Sequence, residues 1–127
     1  MIYRDLVGIP FEDGGRTKEG LDCWGLVKEV YKRRGIELPE YPISAMNAER
    51  ICDTMTDEEH KWIKLDQPEE GCIVAIKLMP QGWVNHVGVY IGDGRFIHSY
   101  YTTGVVIDRV RRWKARIVGY YVPGWVK

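Results

Sequence analysis

The sequence predicts an α+β fold in which N-terminal helices pack on a five-stranded antiparallel sheet. Apolar residues at helical spacing are confined to the first half, and β-branched and aromatic runs separated by short turns fill the second half. The chain has 127 residues, of which 45% are hydrophobic and 28% are charged. This is enough material for one core, so we expect a single domain over residues 1–127.

The first helix is predicted over residues 22–34. Asp22 can cap its N-terminus, and Gly35 follows a basic last turn, as is typical of a helix C-terminus. A glycine-rich segment over residues 14–20 predicts a loop that leads into the helix. The apolar residues at helical spacing are Cys23, Leu26, Val27, Val30 and Tyr31.

A second helix is predicted from Ser44 to about Thr56, because its apolar residues fall on one stripe. These residues are Ala48, Ile51, Cys52 and Met55. After a turn at residues 68–71, five runs rich in β-branched and aromatic residues predict the strands of an antiparallel meander. The runs cover residues 72–78, 84–91, 95–100, 105–110 and 117–122.

Charge and composition exclude several classes of partner. Eighteen basic and eighteen acidic side chains cancel, so we expect neither nucleic acid nor a membrane surface as a partner. No apolar run approaches the roughly 20 residues of a membrane span, and the start of the chain lacks signal-peptide features, which predicts synthesis in the cytoplasm. Three cysteines without C-x-x-C spacing argue against a disulfide framework or a structural zinc site.

Cys23 and two histidines are the candidate catalytic residues. Cys23 at the first helical position should feel the partial positive charge of the helix N-terminus, which predicts a thiol pKa below the usual value of about 8.5. His86 is the candidate base for this thiol, and His98 is the candidate group that orients it. Taken singly, a buried cysteine or a strand histidine is more often structural, so the combination carries the prediction.

The loop between the two histidine strands decides whether His86 and His98 can cooperate. A two-residue loop, Asp93-Gly94, would put the two imidazoles on opposite faces of the hairpin. A three-residue loop with a bulge at glycine would place them as diagonal neighbours on one mixed aromatic face. We expect the first helix to pack on that face and to bring Cys23 to the histidines.

Two segments carry a longer pattern. The first comprises Gly8–Gly15 and Gly20–Val27, and the second is His86–His98. Together they resemble the catalytic blocks of the NlpC-type cell-wall peptidases, with Cys23 in the place of the catalytic cysteine. Only residues 43–66 fit the family poorly. Two connecting segments also resemble those of the family, namely Gly35–Pro39 and Pro68–Gly71.

The resemblance implies a papain-like fold and a cysteine endopeptidase in which Cys23 is the nucleophile, His86 the base and His98 the third polar residue. The implied reaction is hydrolysis of the bond from D-glutamate to a diamino acid in peptidoglycan stem peptides, with no metal or organic cofactor. The Asp22–Leu26 sequence resembles the phage and prophage tail-associated branch. That branch implies a protein carried on the virion tail, with tail proteins as partners.

Five residues are candidates for the oxyanion site and the substrate groove. Phe11 stands where many relatives place a tyrosine whose hydroxyl helps to bind the oxyanion. Loss of that donor would cost roughly 3 kcal/mol of transition-state stabilisation, although the backbone N–H of Cys23 can still contribute. The five candidates are Phe11, Asp22, Trp24, Trp83 and Tyr100.

Three alternatives remain open at the level of sequence. Cys23, His86 and His98 could hold a zinc ion, since thiolate and imidazole suit that metal. The chain could be a non-catalytic tail or assembly module that keeps the fold, which the phenylalanine at position 11 favours. It could also be a papain-like amidohydrolase that acts on a different acyl substrate.

Overall fold

The computed structural model describes residues 3–41, 47–79, 82 and 84–125. Its helices are α1 (Cys23–Arg33), α2 (Ala48–Glu58) and the short α3 (Val110–Trp113), with 3-10 turns at Arg4–Leu6 and Glu59–Lys61. Its strands are β1 (Arg16–Thr17), β2 (Gly20–Leu21), β3 (Trp62–Leu65), β4 (Ile73–Ile76), β5 (His86–Gly92), β6 (Arg95–Tyr100), β7 (Gly104–Arg109) and β8 (Ile117–Pro123). In the part of the chain that is described, no helix is long and apolar enough to cross a membrane.

Helix α1 lies within one residue of its prediction at each end. The Asp22 carboxylate accepts a hydrogen bond from the Gly25 N–H at 2.7 Å, which satisfies one of the free donors of the first turn. At the other end, Arg34 caps the helix and Gly35 adopts a positive φ of 79°. Glycine tolerates this left-handed conformation, so the chain can leave the helix there without strain.

Helix α2 begins with Asn47 as its N-cap and ends at Glu58, two residues beyond the predicted end. Ser44, the predicted start, lies outside the described residues. The last turn is acidic, and carboxylates disfavour a helix C-terminus. Tertiary contacts stabilise it instead, since Glu58 accepts hydrogen bonds from the Tyr41 hydroxyl at 2.9 Å and from Lys61 at 3.0 Å.

The main sheet has six strands in the order β3-β8-β4-β5-β6-β7, so the prediction of five strands was wrong. The antiparallel meander is confirmed from β4 to β7. Strand β8 does not follow β7 but returns to pair with β4, and β3 adds an edge beside β8. Strand β3 was missed because it is only four residues long and its pairing with β8 spans more than fifty residues of chain.

Helix α1 packs on the aliphatic face of the sheet, which corrects the prediction that it covers the histidine face. Its buried residues share one core with aliphatic side chains from β4 to β7. The opposite face is closed by Trp113 of α3 and by Tyr120 of β8. An aliphatic helix stripe buries more apolar surface against an aliphatic face than against imidazoles. The sheet residues in the α1 core are Ile73, Val87, Val89, Ile97 and Val105.

Candidate active site

The β5–β6 hairpin combines features of both predicted registers. Gly92 pairs with Arg95, so the turn has two residues, and Asp93 and Gly94 have the positive φ values of 54° and 73° that a type I′ turn requires. A bulge then shifts the pairing between Tyr90 and Gly92. A two-residue turn alone would place His86 and His98 on opposite faces of the hairpin. The extra residue in the bulge shifts the alternation of side chains by one and brings them back to the same face. The two candidate histidines therefore share a face.

A chain of hydrogen bonds runs from His86 into the sheet. The Nε2 atom of His86 lies 2.7 Å from Nδ1 of His98, and Nε2 of His98 lies 2.7 Å from Oδ2 of Asp108 in β7. The indole N–H of Trp113 donates to the same Asp108 oxygen at 3.2 Å. His86 is 3% exposed and His98 is fully buried. The structure therefore places the predicted base against its predicted orienting group.

Asp108 was not identified from the sequence. It lies on β7, the strand that follows β6, and it pairs with Phe96 rather than with His98 in the register of the two strands. The available signal was an aspartate inside an otherwise β-branched run, where acidic residues are rare.

Gly88 provides the room in which His98 lies. A Cβ atom at position 88 would lie 2.8 Å from the Ile97 carbonyl oxygen, 2.9 Å from the His98 Cβ atom and 3.0 Å from the Phe96 ring. Real Cβ atoms do not approach backbone so closely, so a side chain here would displace His98. The glycine is therefore part of the arrangement that sets the imidazole pair.

Cys23 lies beside the start of β5. It is 7% exposed, and the backbone N–H of Val87, the residue after His86, donates a hydrogen bond to its sulfur. Cys23 and His86 both line a cavity of about 300 Å³. Nε2 of His86 is hydrogen-bonded to His98, so Nδ1 is the ring nitrogen of His86 that remains to accept a proton from the Cys23 thiol. The predicted nucleophile and base thus meet at one cavity.

The charge state of this pair differs from the prediction. Burial raises the pKa of the Cys23 thiol to about 12, and the negative charge of Asp22 adds to the rise, while the N–H groups of Val87 and Trp24 oppose it. Burial also holds the pKa of His86 well below its usual value, and His98 contributes. The prediction considered the helix N-terminus and neglected desolvation and the capping carboxylate. Both pKa shifts favour the uncharged forms, a thiol at Cys23 and a neutral imidazole at His86.

This charge state predicts that Cys23 contributes no thiolate absorbance in the ultraviolet from mildly acidic to neutral pH. Because its pKa is raised to about 12, the thiolate should form only in strongly alkaline solution. The measurement is a pH titration of the difference spectrum between the wild type and Cys23→Ala, which cancels the other cysteines. An absorbance step below neutral pH would show instead that a thiolate–imidazolium pair exists at rest.

The cavity beside Cys23 is lined mainly by aromatic and aliphatic side chains. Trp24 lies with its ring centroid 5.2 Å from Tyr41 and 6.4 Å from Trp62, and its indole N–H donates to the Pro39 carbonyl. Two carboxylates, Glu58 and Glu59, also line it. Of the groove candidates, Trp24 is therefore at the cavity.

One of the other groove candidates also lines the cavity, and two do not. Asp22 lines the cavity, but its carboxylate is engaged in hydrogen bonds within the protein. Phe11 and Tyr100 are absent from the described lining, and the Tyr100 ring packs 5.9 Å from the His86 ring. Trp83 lies outside the described residues.

Asp22 joins the approach loop to the helix that carries Cys23. One carboxylate oxygen accepts from the Gly25 N–H and from Arg16, both at 2.7 Å, and the other accepts from the Gly14 N–H at 2.9 Å. Arg16 in turn binds Glu40. Asp22 therefore acts as a structural anchor of the helix N-terminus rather than as a group that is free to bind substrate.

Replacing Asp22 by alanine is expected to lower the free energy of unfolding by about 2 kcal/mol, because a helix cap and a partly buried ion pair with Arg16 are lost together. The matched control is Asn47→Ala, which removes the cap of α2 but only one exposed hydrogen bond. We expect that control to cost no more than about 1 kcal/mol. Urea unfolding of both variants measures the difference, and equal losses would contradict the anchoring role.

The described residues do not assemble the zinc site that the sequence left open. Both ring nitrogens of His98 are engaged, one by His86 and one by Asp108, so neither lone pair is directed at Cys23. Within the described ranges, no group of three or more histidine, cysteine, aspartate or glutamate side chains is arranged to hold a metal ion. Cys72 is buried and burial raises its pKa, in agreement with a structural role.

Comparison with known proteins agrees with this architecture. The crystal structure of an NlpC/P60 family protein from Bacillus cereus ATCC 10987 superposes with a TM-score of 0.67 at 24% identity, over 91% of this chain and 35% of that one. The likeness shows the fold alone, and it confirms the predicted α+β, papain-like class.

Two curated relatives extend the comparison to sequence. The murein DD-endopeptidase MepS/murein LD-carboxypeptidase of Escherichia coli K12 is 30% identical over 117 residues, which are 90% of this chain and 55% of that protein. The gamma-D-glutamyl-L-lysine dipeptidyl-peptidase of Bacillus subtilis 168 is 27% identical over 95 residues, 74% of this chain and 28% of that protein. This chain thus spans about half of the first relative and less of the second.

The family model agrees with both results. The model of the NlpC/P60 family matches residues 8–122, which include both catalytic blocks and every strand of the main sheet from β3 to β7. The match also covers residues 43–66, where the sequence resemblance was poor. The chain belongs to the NlpC/P60 family.

Proposed function

We propose that this protein is a cysteine peptidase that hydrolyses peptidoglycan peptides, with Cys23 as the nucleophile, His86 as the base and His98 as its orienting group. The observation that carries the proposal is the meeting of Cys23 and His86 at one cavity, with His86 bonded to His98. The names of the murein endopeptidase and dipeptidyl-peptidase relatives support the substrate class.

The neutral resting pair determines how the reaction begins. As the Cys23 sulfur attacks the amide carbonyl carbon, its proton passes to Nδ1 of His86, so no isolated thiolate has to form in the buried site. The resulting imidazolium donates that proton to the leaving amine when the C–N bond breaks. A water molecule then loses a proton to His86 and attacks the thioester, which releases the acid and restores the thiol.

The bond that we propose joins D-glutamate to the diamino acid of the stem peptide. The relative from Bacillus subtilis is named for the gamma-D-glutamyl-L-lysine bond, whereas the relative from Escherichia coli is named for DD-endopeptidase and LD-carboxypeptidase activities. The resemblance of both catalytic blocks to the NlpC-type peptidases favours the D-glutamyl bond. These three bonds release fragments of different mass, so they can be told apart directly.

The test is digestion of purified peptidoglycan and of synthetic stem peptides that contain one of the three bonds, followed by mass spectrometry. Cleavage only at the D-glutamyl bond would establish the full proposal. Cleavage at another bond would support the hydrolase activity but contradict the proposed D-glutamyl bond. Absence of cleavage on every substrate would contradict the proposal and favour the non-catalytic module.

We also propose that the protein works on a phage or prophage tail, bound to tail proteins. The support is the Asp22–Leu26 sequence, which resembles the tail-associated branch of the family. Mass spectrometry of purified particles induced from a strain that carries the gene tests this setting. Detection of the chain in tail fractions is expected, and its absence from intact particles would contradict the setting without affecting the chemistry.

A further inference from the structure

We infer that Asp108 and Trp113 are positioning residues that set the direction of the two-imidazole hydrogen-bond chain, so that Nδ1 of His86 is left without a proton. The inference rests on the proposed function for its catalytic meaning. Its structural content, which nitrogen of each ring carries hydrogen, can be measured without any substrate.

The first step concerns Asp108. A carboxylate can only accept hydrogen bonds, and an indole N–H can only donate. His98 Nε2 and Trp113 Nε1 both approach the same oxygen, Oδ2, at 2.7 Å and 3.2 Å. His98 must therefore carry hydrogen on Nε2. The Trp113 contact holds that oxygen in place, because it leaves the carboxylate less freedom to turn.

The second step passes this constraint to His86. A neutral imidazole has one donor and one acceptor nitrogen, so Nδ1 of His98 accepts when its Nε2 donates. The nitrogen 2.7 Å away, Nε2 of His86, must then donate. Nδ1 of His86 is left with its lone pair, which is the form that can accept the proton of Cys23. One carboxylate thereby fixes both tautomers.

The third step shows why the direction matters. A protonated His98 would donate from both nitrogens, so Nε2 of His86 would accept and Nδ1 of His86 would carry the hydrogen instead. That form cannot take a proton from the thiol. Burial lowers the pKa of His98 while Asp108 opposes the fall, so the neutral relay persists near neutral pH.

Trp113 also shields the relay. Its ring lies edge-on to His98 with the centroids 5.1 Å apart and nearly parallel to His86 at 6.4 Å. The Arg116 guanidinium lies over the same indole ring, 5.7 Å from its centroid, in a cation–π contact. The indole thus combines a hydrogen bond to Asp108 with a cover over both imidazoles.

Because His98 and Trp113 donate to the same Asp108 oxygen, substitutions of Asp108 and Trp113 can test the inference. In Asp108→Asn the amide oxygen can replace Oδ2 and accept both hydrogen bonds, so the tautomers should survive and only the charge is lost. When Trp113→Phe is added, the amide can turn and donate to His98, which reverses the relay. We expect kcat to fall about 10-fold in Asp108→Asn and about 10³-fold in the double variant, with Trp113→Phe alone below about 10-fold.

Nitrogen NMR of the histidine rings reads the tautomers directly. The wild type and Asp108→Asn should show His86 and His98 both protonated on Nε2, and the double variant should show both on Nδ1. A wild type with hydrogen on Nδ1 of His86 would overturn the inference even if the enzyme is active. The expected tautomers in an inactive wild type would support the inference and count against the proposed function.

The pH profile separates positioning from a merely structural effect. Loss of the carboxylate removes the group that favours protonated His98, so the acid limb of kcat/KM should move to lower pH in Asp108→Asn. Asp93→Asn is the matched control, because it removes the same charge from the exposed hairpin turn. An unshifted limb in Asp108→Asn, or an equal shift in Asp93→Asn, would overturn the inference.

Discussion

Cys23→Ala is expected to lower kcat for peptidoglycan peptides by about 10⁴-fold or more, because every bond change in the proposed reaction passes through its sulfur. The side chain is small and 7% exposed, so alanine leaves the α1 core nearly filled. The fold should persist, and the loss should appear in kcat rather than in stability. Steady-state kinetics together with urea unfolding measure the two effects separately.

Cys72→Ala is the matched control for this prediction. Cys72 is also a buried cysteine whose pKa is raised by burial, but it does not line the described cavity. Its replacement should leave kcat within about threefold of the wild type, as is usual for a residue outside the reacting groups. Equal losses in both variants, or an active Cys23→Ala, would contradict the assignment of the nucleophile.

His86→Ala is expected to lower kcat by about 10³-fold, in the range for removal of a general base. The loss follows from the raised pKa of Cys23, since a thiol that stays protonated needs a base to take its proton during attack. KM should change little, because His86 contributes one face of a larger cavity. Addition of free imidazole should restore part of the rate if the vacated space admits it.

His60→Ala is the control for His86→Ala, since the chain has three histidines and His60 is exposed in the 3-10 turn, where its ring forms a hydrogen bond with the Asp57 carbonyl. Its kinetics should match the wild type. A His86→Ala variant with nearly full kcat would show that a thiolate already exists at rest. That result would also contradict the charge state deduced from burial.

Local interactions explain what could be predicted from the sequence. The N-terminus of α1 depends on a hydrogen bond between residues three apart, from Gly25 to Asp22, and its end depends on Gly35. Strand β6 spans the predicted residues because a β-branched and aromatic run and two flanking turns define it. The sequence motifs also identified Cys23 and His86, and their roles remain predictions until they are tested.

Interactions between distant segments explain what the sequence left undetermined. The bulge after Tyr90, the pairing of β8 with β4 and the aliphatic face chosen by α1 depend on which surfaces are buried together. Desolvation by several elements reverses the expected pKa of Cys23, and the contact of Asp108 with His98 appears only when β7 lies beside β6. By itself the sequence predicted α1, α2 and strands β4 to β8, and it identified the candidate reactive residues. Their pKa directions and partners were decided by tertiary structure, because burial and electrostatics depend on all neighbours in space.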